Sequence, residues 1–308
     1  MDVSVIFATR DRADLLADTL RELERQDTTG LTWEVIVVDN GSTDRTPEVL
    51  RAATSVLPLI HLVEPVPGKN RALNRALQIT RGELLVFTDD DVIPDRRWIA
   101  EMVAAAHRWP KHPIFGGQIV PRFPPGTPAW LRGHRFNGTA YARFNLPQGE
   151  GPMEKLPFGP NFMVRAATMH TVRYNEAIGP LGEDYVSGSE TELLLRLTRE
   201  GHRMVYVPTA VVGHVVRPDQ VSVDWLLGRS YRLGRSYVEL NIVQLEGKPK
   251  FAGVPVPVWS RLAKEWIYSL LGAFGDEQRR FDHGVDYHFL RGCIRQQRLM
   301  LRRQRKIS

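Results

Sequence analysis

The chain has 308 residues, 43% of them hydrophobic and 25% charged, enough to bury a full core and at the upper end of what one domain carries, so one large domain with an appendage is expected. Cys293 is the only cysteine, which excludes an internal disulfide and a cysteine-based metal site. The net charge of +6 resides in a tail over 291–308, where Arg291, Arg295, Arg298, Arg302, Arg303, Arg305 and Lys306 meet no acid; such a tail suits a solvated helix end or an anionic lipid surface, and its lack of interleaved aromatics speaks against nucleic acid.

Met1-Asp2 runs directly into the apolar residues 3–8, without the basic and apolar segments of a secretory leader, and no stretch approaches the roughly 18 apolar residues of a spanning helix. A cytoplasmic protein is therefore expected. Residues 3–8 form a first strand, followed by a helix that Asp11 is placed to cap and whose Leu15, Leu16, Leu20 and Leu23 share a core-facing stripe. Residues 34–39 form a second strand, ending at the turn Asn40-Gly41-Ser42, and a short helix starts near Thr46. Residues 59–63 form a third strand, 69–80 a helix, and 83–88 a fourth strand whose apolar run stops at Asp89. This alternation is that of βαβ units with a largely parallel sheet, whose ligands lie beyond the carboxyl ends of the strands. Asp39 and Asp89 sit at such ends. Residues 123–160 are rich in Pro, Gly and aromatics without a period and predict a long irregular insertion. Regular structure resumes at 161–165, then as a helix over 190–200 closed by Gly201, and a strand over 203–207. Residues 224–246 and 259 onward read as helical.

No G-x-G-x-x-G and no G-x-x-x-x-G-K-S/T occurs, which disfavours a Rossmann dehydrogenase or a P-loop enzyme. What remains is a sheet whose strand ends present carboxylates, suited to a hard divalent cation shared with substrate phosphates. Asp89-Asp90-Asp91 directly follows an apolar strand, and three adjacent aspartates ask for a compensating positive charge, which a metal supplies.

Taken together the motifs resemble those of the family-2 inverting glycosyltransferases of the GT-A fold, over roughly residues 3–216. Val5-Ile-Phe-Ala-Thr-Arg-Asp-Arg12 is similar to the family's opening motif, and Glu34-Val-Ile-Val-Val-Asp-Asn-Gly-Ser-Thr-Asp44 to its second. Gly68-Lys-Asn-Arg-Ala-Leu-Asn74, followed by Gly82-Glu-Leu-Leu-Val-Phe-Thr-Asp-Asp-Asp91, is similar to its acidic stretch, with Leu73 where many members have arginine. The resemblance implies that Thr9 and Asp39 hold the nucleotide, that Arg10 reaches ribose or phosphate, and that Lys69 and Asn74 join the donor site. It further implies Asp91 as a metal ligand and Asp89 or Asp90 on ribose or metal-bound water. Gly159-Pro-Asn-Phe-Met-Val-Arg165 resembles the acceptor-side segment, with Asn161 as a sugar contact. In Gly188-Ser-Glu-Thr-Glu-Leu-Leu-Leu-Arg-Leu197, Glu190 takes the position of the family's catalytic base; Glu192, placed on the acceptor side, is the competing candidate for the base but also lies four residues from Arg196, the spacing of an ordinary ion pair. Val207-Pro-Thr-Ala-Val-Val-Gly-His214 resembles the segment whose histidine reaches the metal. An imidazole among carboxylates suits Mn2+ better than Mg2+.

The implied architecture is a GT-A catalytic domain over 1–216, a mostly parallel sheet flanked by helices, with a helical C-terminal region over 217–308. The implied reaction is metal-dependent, inverting transfer from a nucleoside-diphosphate sugar, UDP-sugar favoured, to a hydroxyl of a lipid-linked acceptor or a growing glycan, as in polysaccharide or glycolipid biosynthesis. Trp225, Trp259, Trp266, Tyr268 and the run 267–274, beside the basic tail, predict peripheral contact with the inner membrane face. Two alternatives stand against this reading. One is a haloacid-dehalogenase-like phosphotransferase, from Asp39-Asn40-Gly41-Ser42-Thr43 after a strand; the other is a non-catalytic nucleotide-sugar- or glycan-binding protein of the same fold.

Overall fold

The computed structural model describes residues 1–179, 185–247, 249–271 and 276–307. Residues 272–274 of the expected apolar run, and the side chains of Arg305 and Lys306, lie outside the described residues. In chain order the elements are β1 (Val3–Thr9), α1 (Ala13–Glu24), β2 (Trp33–Asp39), α2 (Thr46–Ala53), β3 (Leu59–Val63), α3 (Lys69–Leu77), β4 (Leu84–Phe87), β5 (Val92–Pro94), α4 (Trp98–Arg108), β6 (Ile114–Arg122), α5 (Ala129–Gly133), α6 (Asn137–Ala140), β7 (Gly151–Met153), β8 (Phe162–Arg165), α7 (Ala166–Met169), α8 (Ser189–Arg199) and β9 (Met204–Val215). After a 3-10 turn (Pro218–Val221) come α9 (Val223–Glu239), β10 (Lys250–Phe251), β11 (Val254–Pro255), α10 (Val256–Leu271) and α11 (Glu277–Ile307).

The described residues fall into two compact units. The first comprises Met1–Arg122, residues 141–179 and Ser189–Val215. Its strands run in the order β3-β2-β1-β4-β8-β6-β9-β5, with β7 also on β9. β1 to β4 are mutually parallel where they pair, as are β6 and β9; β8, β5 and β7 run against their neighbours. The sheet is thus mixed and mostly parallel. Val5, Ile6, Phe7, Val35, Val37, Val86 and Phe87 are buried on successive positions, because helices cover both faces of the sheet and a strand buried on both sides reads as a continuous apolar run.

Several local expectations shift. Asp11 does not cap α1: its carboxylate accepts from the amide and hydroxyl of Thr43, and Asp44 Oδ2 instead accepts from the amide of Ala13 at 3.0 Å. α3 ends at Leu77, three residues early. The insertion at 123–160 contains α5, α6 and β7, and Phe144 bridges to Ile119. The strand expected over 203–207 is the start of the much longer β9, which brings His214 to the sheet edge beside Val92.

The second unit comprises Phe123–Ala140, residues 185–188 and the described residues from Val216 onward, so two upstream segments join the helical region. Its centre is the pair α9 and α11. They approach so closely that a Cβ on Gly234 would lie 2.0 Å from the Phe289 carbonyl oxygen, and one on Gly292 2.0 Å from that of Tyr231. Buried His134 packs edge-on against Phe281, accepts from the Phe136 amide through Nδ1, and so donates through Nε2 to Asp282 at 3.0 Å. No helix among the described residues is long and apolar enough to cross a membrane.

Candidate active site

Parallel pairing of β1 with β4 sets Ile6 opposite Phe87, so three residues further on Thr9 and Asp90 come level. There Thr9 Oγ1 donates to Asp90 Oδ2 at 2.7 Å. Arg12, in the turn before α1, donates through Nη1 to Asp90 Oδ1 at 2.7 Å and Asp91 Oδ2 at 3.1 Å. Lys69, the first residue of α3, holds Asp89 Oδ1 at 2.5 Å. His214 Nε2 lies 3.4 Å from Asp91 Oδ1, while its Nδ1 donates to the Tyr141 carbonyl at 2.9 Å. The positive charge expected from a metal is therefore provided within the chain by Arg12 and Lys69.

Burial splits the triplet electrostatically. Asp90 is 4% exposed and Asp91 5%. Burial raises the pKa of Asp90 above the ordinary carboxylate range, although Arg12 pulls the other way. Asp91 is held well below that range, since against its burial act His214, Arg12 and Lys69. Burial opposes a charge on His214, but Asp91 outweighs it and the imidazole pKa rises. The guanidinium of Arg12 and the ammonium of Lys69 are both stabilised in their charged forms by these aspartates, against the cost of desolvation for Lys69 in particular.

A divalent ion fits one point of this edge. Asp91 Oδ1 is buried and makes no hydrogen bond, yet it faces an imidazole nitrogen whose ring is oriented by a backbone carbonyl, the usual arrangement behind a metal-ligating histidine. Two cis ligands of an octahedral ion at about 2.1 Å lie about 3 Å apart, close to the observed Asp91–His214 separation. Among the described residues no third His, Asp or Glu joins them, which suits an ion whose other ligands are phosphate oxygens and water.

Glu190 enters from the first turn of α8. Its carboxyl atoms lie so near Gly159 that a Cβ there would meet them at 3.4–3.6 Å, and Glu190, Lys69, Asp89, Leu73 and Tyr174 line one cleft. Glu190 makes no hydrogen bond or ion pair among the described residues. Tyr174 is buried, its ring edge-on to Phe87 at 5.8 Å; burial, then the charges of Glu190 and Asp89, push its hydroxyl pKa far up, so it stays a neutral donor.

Other expected site residues are placed elsewhere. Asn74 is spent on the chain: its Nδ2 donates to the Tyr174 carbonyl at 3.0 Å and its Oδ1 accepts from the Tyr174 amide at 2.8 Å. One turn earlier Asn70 donates to the carbonyls of Asn175 and Ile178, so one face of α3 holds the segment that carries Tyr174. Asn161 is 0% exposed; it accepts from Trp98 Nε1 and donates to the carbonyls of Gln118 and Ala210. Gly117 is required beside it, since a Cβ there would lie 2.3 Å from Asn161 Nδ2. With no surface, Asn161 cannot touch a sugar. Glu192 forms the ion pair with Arg196, at 2.7 and 3.0 Å. Arg10 is exposed and lies nearest Asp11, at 3.6 Å. Asp39 ends β2 nearly buried, with Oδ1 taking the Ser42 amide at 2.8 Å. Arg12, Asn70 and Tyr174 join the site without having been singled out by the motifs; Arg12 closes the opening motif and Asn70 lies within the segment 68–74, whereas Tyr174 belongs to none.

The mixed sheet with its acidic carboxyl edge is that of a GT-A-type fold. Residues 4–172, more than half of the chain, match Glycosyl transferase family 2, and the chain belongs to that family. Among curated proteins it is similar to glycosyltransferase AglE of Haloferax volcanii, 24% identical over 242 residues that cover 77% of this chain and 73% of the relative. Among solved structures it is similar to the mannosyltransferase PcManGT of Pyrobaculum calidifontis in complex with GDP-Man and Mn2+, at 19% identity, a TM-score of 0.62 and coverage of 96% of this chain and 86% of the other. S. aureus TarS 1–349 in complex with UDP follows at 16% identity and a TM-score of 0.56, covering 96% and 92%. The phosphotransferase and non-catalytic alternatives find no support in these likenesses.

Proposed function

We propose that this enzyme transfers a sugar from a nucleoside-diphosphate donor to an acceptor hydroxyl in one displacement with inversion, Glu190 serving as the base. The observation that carries the reading is the unpartnered Glu190 carboxylate in the same cleft as the Lys69–Asp89 pair. Glu190 takes the hydroxyl proton as the acceptor oxygen bonds to the anomeric carbon. The bond from that carbon to the diphosphate breaks, and its electron pair leaves with the nucleotide. Lys69 and Arg12 offer permanent positive charge beside the departing phosphates, and the Tyr174 hydroxyl can donate to an oxygen next to Glu190. Asp91 and His214 are the residues to hold a divalent ion, Mn2+ before Mg2+; when bound, it stabilises charge on the leaving diphosphate. Asp39, at its strand end, is positioned to accept from the base. UDP-sugars are the first donors to test, since a structural neighbour holds UDP, with GDP-Man, held by another, next. The acceptor belongs to polysaccharide or glycolipid assembly. The helical unit supports work at a membrane surface, because Trp266, Ile267, Leu270 and Leu271 are exposed together on α10.

The test is Glu190→Gln, which keeps shape and removes the base. The expected kcat loss is about 10²- to 10⁴-fold, while the rise in melting temperature on adding UDP and Mn2+ stays that of the wild type. A variant that retains a third or more of the wild-type kcat removes Glu190 from the role.

A further inference from the structure

The helical unit contains a cavity of about 610 Å³ that the transfer chemistry does not use. One wall is a ridge of α11: Arg291, Arg295, Arg298 and Arg302, at i, i+4, i+7 and i+11, all line it, and side chains at this spacing share one helix face. The facing wall includes Trp259 and Leu262 of α10. Among the described residues none of the four arginines is ion-paired, whereas the next one along, Arg303, is held by Glu239 at 3.1 Å. Arg291 is steadied over the Tyr287 ring, 5.5 Å from its centroid. Four unneutralised guanidiniums on one wall of a concave site of ligand size ask for a polyanionic group, and guanidinium geometry favours phosphate oxygens.

The opposite wall says what the anion is attached to. The ridge of Trp259 and Leu262 continues along α10, at i+7 and i+11 from Trp259, as Trp266 and Leu270, which are 49% and 53% exposed. An apolar strip thus leads out of a cationic cavity within a single unit. A free phosphate leaves that strip uncovered, while an amphiphile with a phosphate head and a hydrocarbon chain covers both.

We propose that this cavity is a binding site for the phosphate headgroup of a membrane lipid, with the Arg291–Arg302 ridge on the phosphate and the Trp259–Leu270 ridge along the chain. It rests on the helical unit meeting a bilayer and is independent of the assignment of Glu190. The test uses the full chain and no donor sugar, so its failure leaves the transfer reading untouched. Flotation is measured with vesicles of phosphatidylcholine alone and of phosphatidylcholine with phosphatidic acid, and titration calorimetry with soluble dihexanoyl phosphatidic acid and with inorganic phosphate. The wild type is expected to float with the phosphatidic-acid vesicles and to bind the short-chain lipid more tightly than phosphate. Arg295→Glu with Arg298→Glu should weaken both by about tenfold or more. Arg279→Glu with Arg280→Glu makes the same charge change at exposed positions outside the cavity and should leave calorimetric binding of the short-chain lipid unchanged. The milder pair Arg291→Gln with Arg295→Gln guards against misfolding of the reversed variant. Equal flotation with phosphatidylcholine alone, equal binding of inorganic phosphate, or equal loss in both reversed variants would each overturn the site.

Discussion

Arg12 serves two aspartates with one guanidinium nitrogen, and its worth is best read through Asp90, the deeper partner in charge terms. Arg12→Gln leaves Asp90 buried with only Thr9 as a strong donor. Because the guanidinium is 37% exposed, water screens part of the pairing, and the expected loss is about 1–3 kcal/mol. Asp90→Asn in the Arg12→Gln background should then cost at least about 1 kcal/mol less than in the wild type. Urea denaturation of the four proteins gives the coupling; additive losses would mean that Arg12 does not carry Asp90. At this scale the motifs point to residues that the fold gathers at one cleft, Asp89 just past the end of a strand and Lys69 and Glu190 in the first turns of α3 and α8. Motif and fold parted at the amides. Asn74 and Asn161 have the donor and acceptor set of a sugar contact, but the same set fits a backbone peptide, and only the tertiary neighbours decide which is met. Arg12 was obscured differently, since its partners lie 78 and 79 residues away and become adjacent only once β1 and β4 pair.

At the scale of elements, the α9–α11 contact depends on glycines in helix interiors, where they cost backbone entropy. Gly292→Ala places a Cβ against the Tyr231 carbonyl, so the helices must separate and lose packing along their length; about 1–3 kcal/mol is expected. The gain in helix propensity from alanine, about 1 kcal/mol, acts in the opposite direction, so a rise in melting temperature would show that the contact is not limiting. The sequence placed helix over 224–246 and from 259 onward, of which α9 fills only the part to Glu239 and the second block divides into α10 and α11; the glycine contact was not legible. The strands β1 to β4 were legible for a simple reason, that each is an apolar run cut off by polar or turn residues, Arg10-Asp11, Asn40-Gly41, Glu64-Pro65 and Thr88-Asp89. β5, α4 and β6 have no counterpart among the elements expected from the sequence, and β9 runs beyond the expected 203–207 because Pro208 interrupts its apolar run. There the β6–β9 register shifts from Gly117↔Val207 to Gln118↔Val211, looping out three residues of β9.

For the whole molecule, acid sensitivity traces to carboxylates used as internal acceptors. Glu34 is the clearest. Burial works to raise its pKa, but Ser4 Oγ, the Arg81 amide and the Arg81 guanidinium donate to it at 2.6–2.9 Å, and the net effect is a pKa below 4.5. A group depressed on folding stabilises fully above its unfolded value and loses that contribution as pH falls through the folded one. Glu34→Gln should therefore lower the urea midpoint at neutral pH, with the gap to wild type closing as pH drops below 4.5. A gap constant with pH would assign the loss to packing alone.

Four carboxylates, Asp89, Asp90, Asp91 and Glu190, stand at the carboxyl edge with Arg12, Lys69 and His214, and the cations are already engaged with the aspartates. Such an edge has no surplus positive field to draw in a doubly charged diphosphate from solution. Capture of the proposed donor in chelator should then be slow and should not slow further as salt is added; with Mn2+ present it should be faster and should decline with ionic strength. Stopped-flow association at several salt concentrations reads this directly. On the proposed reading, an ion held by Asp91 and His214 would set the rate of encounter as well as steady the leaving group, so that donor sampling would follow the metal supply.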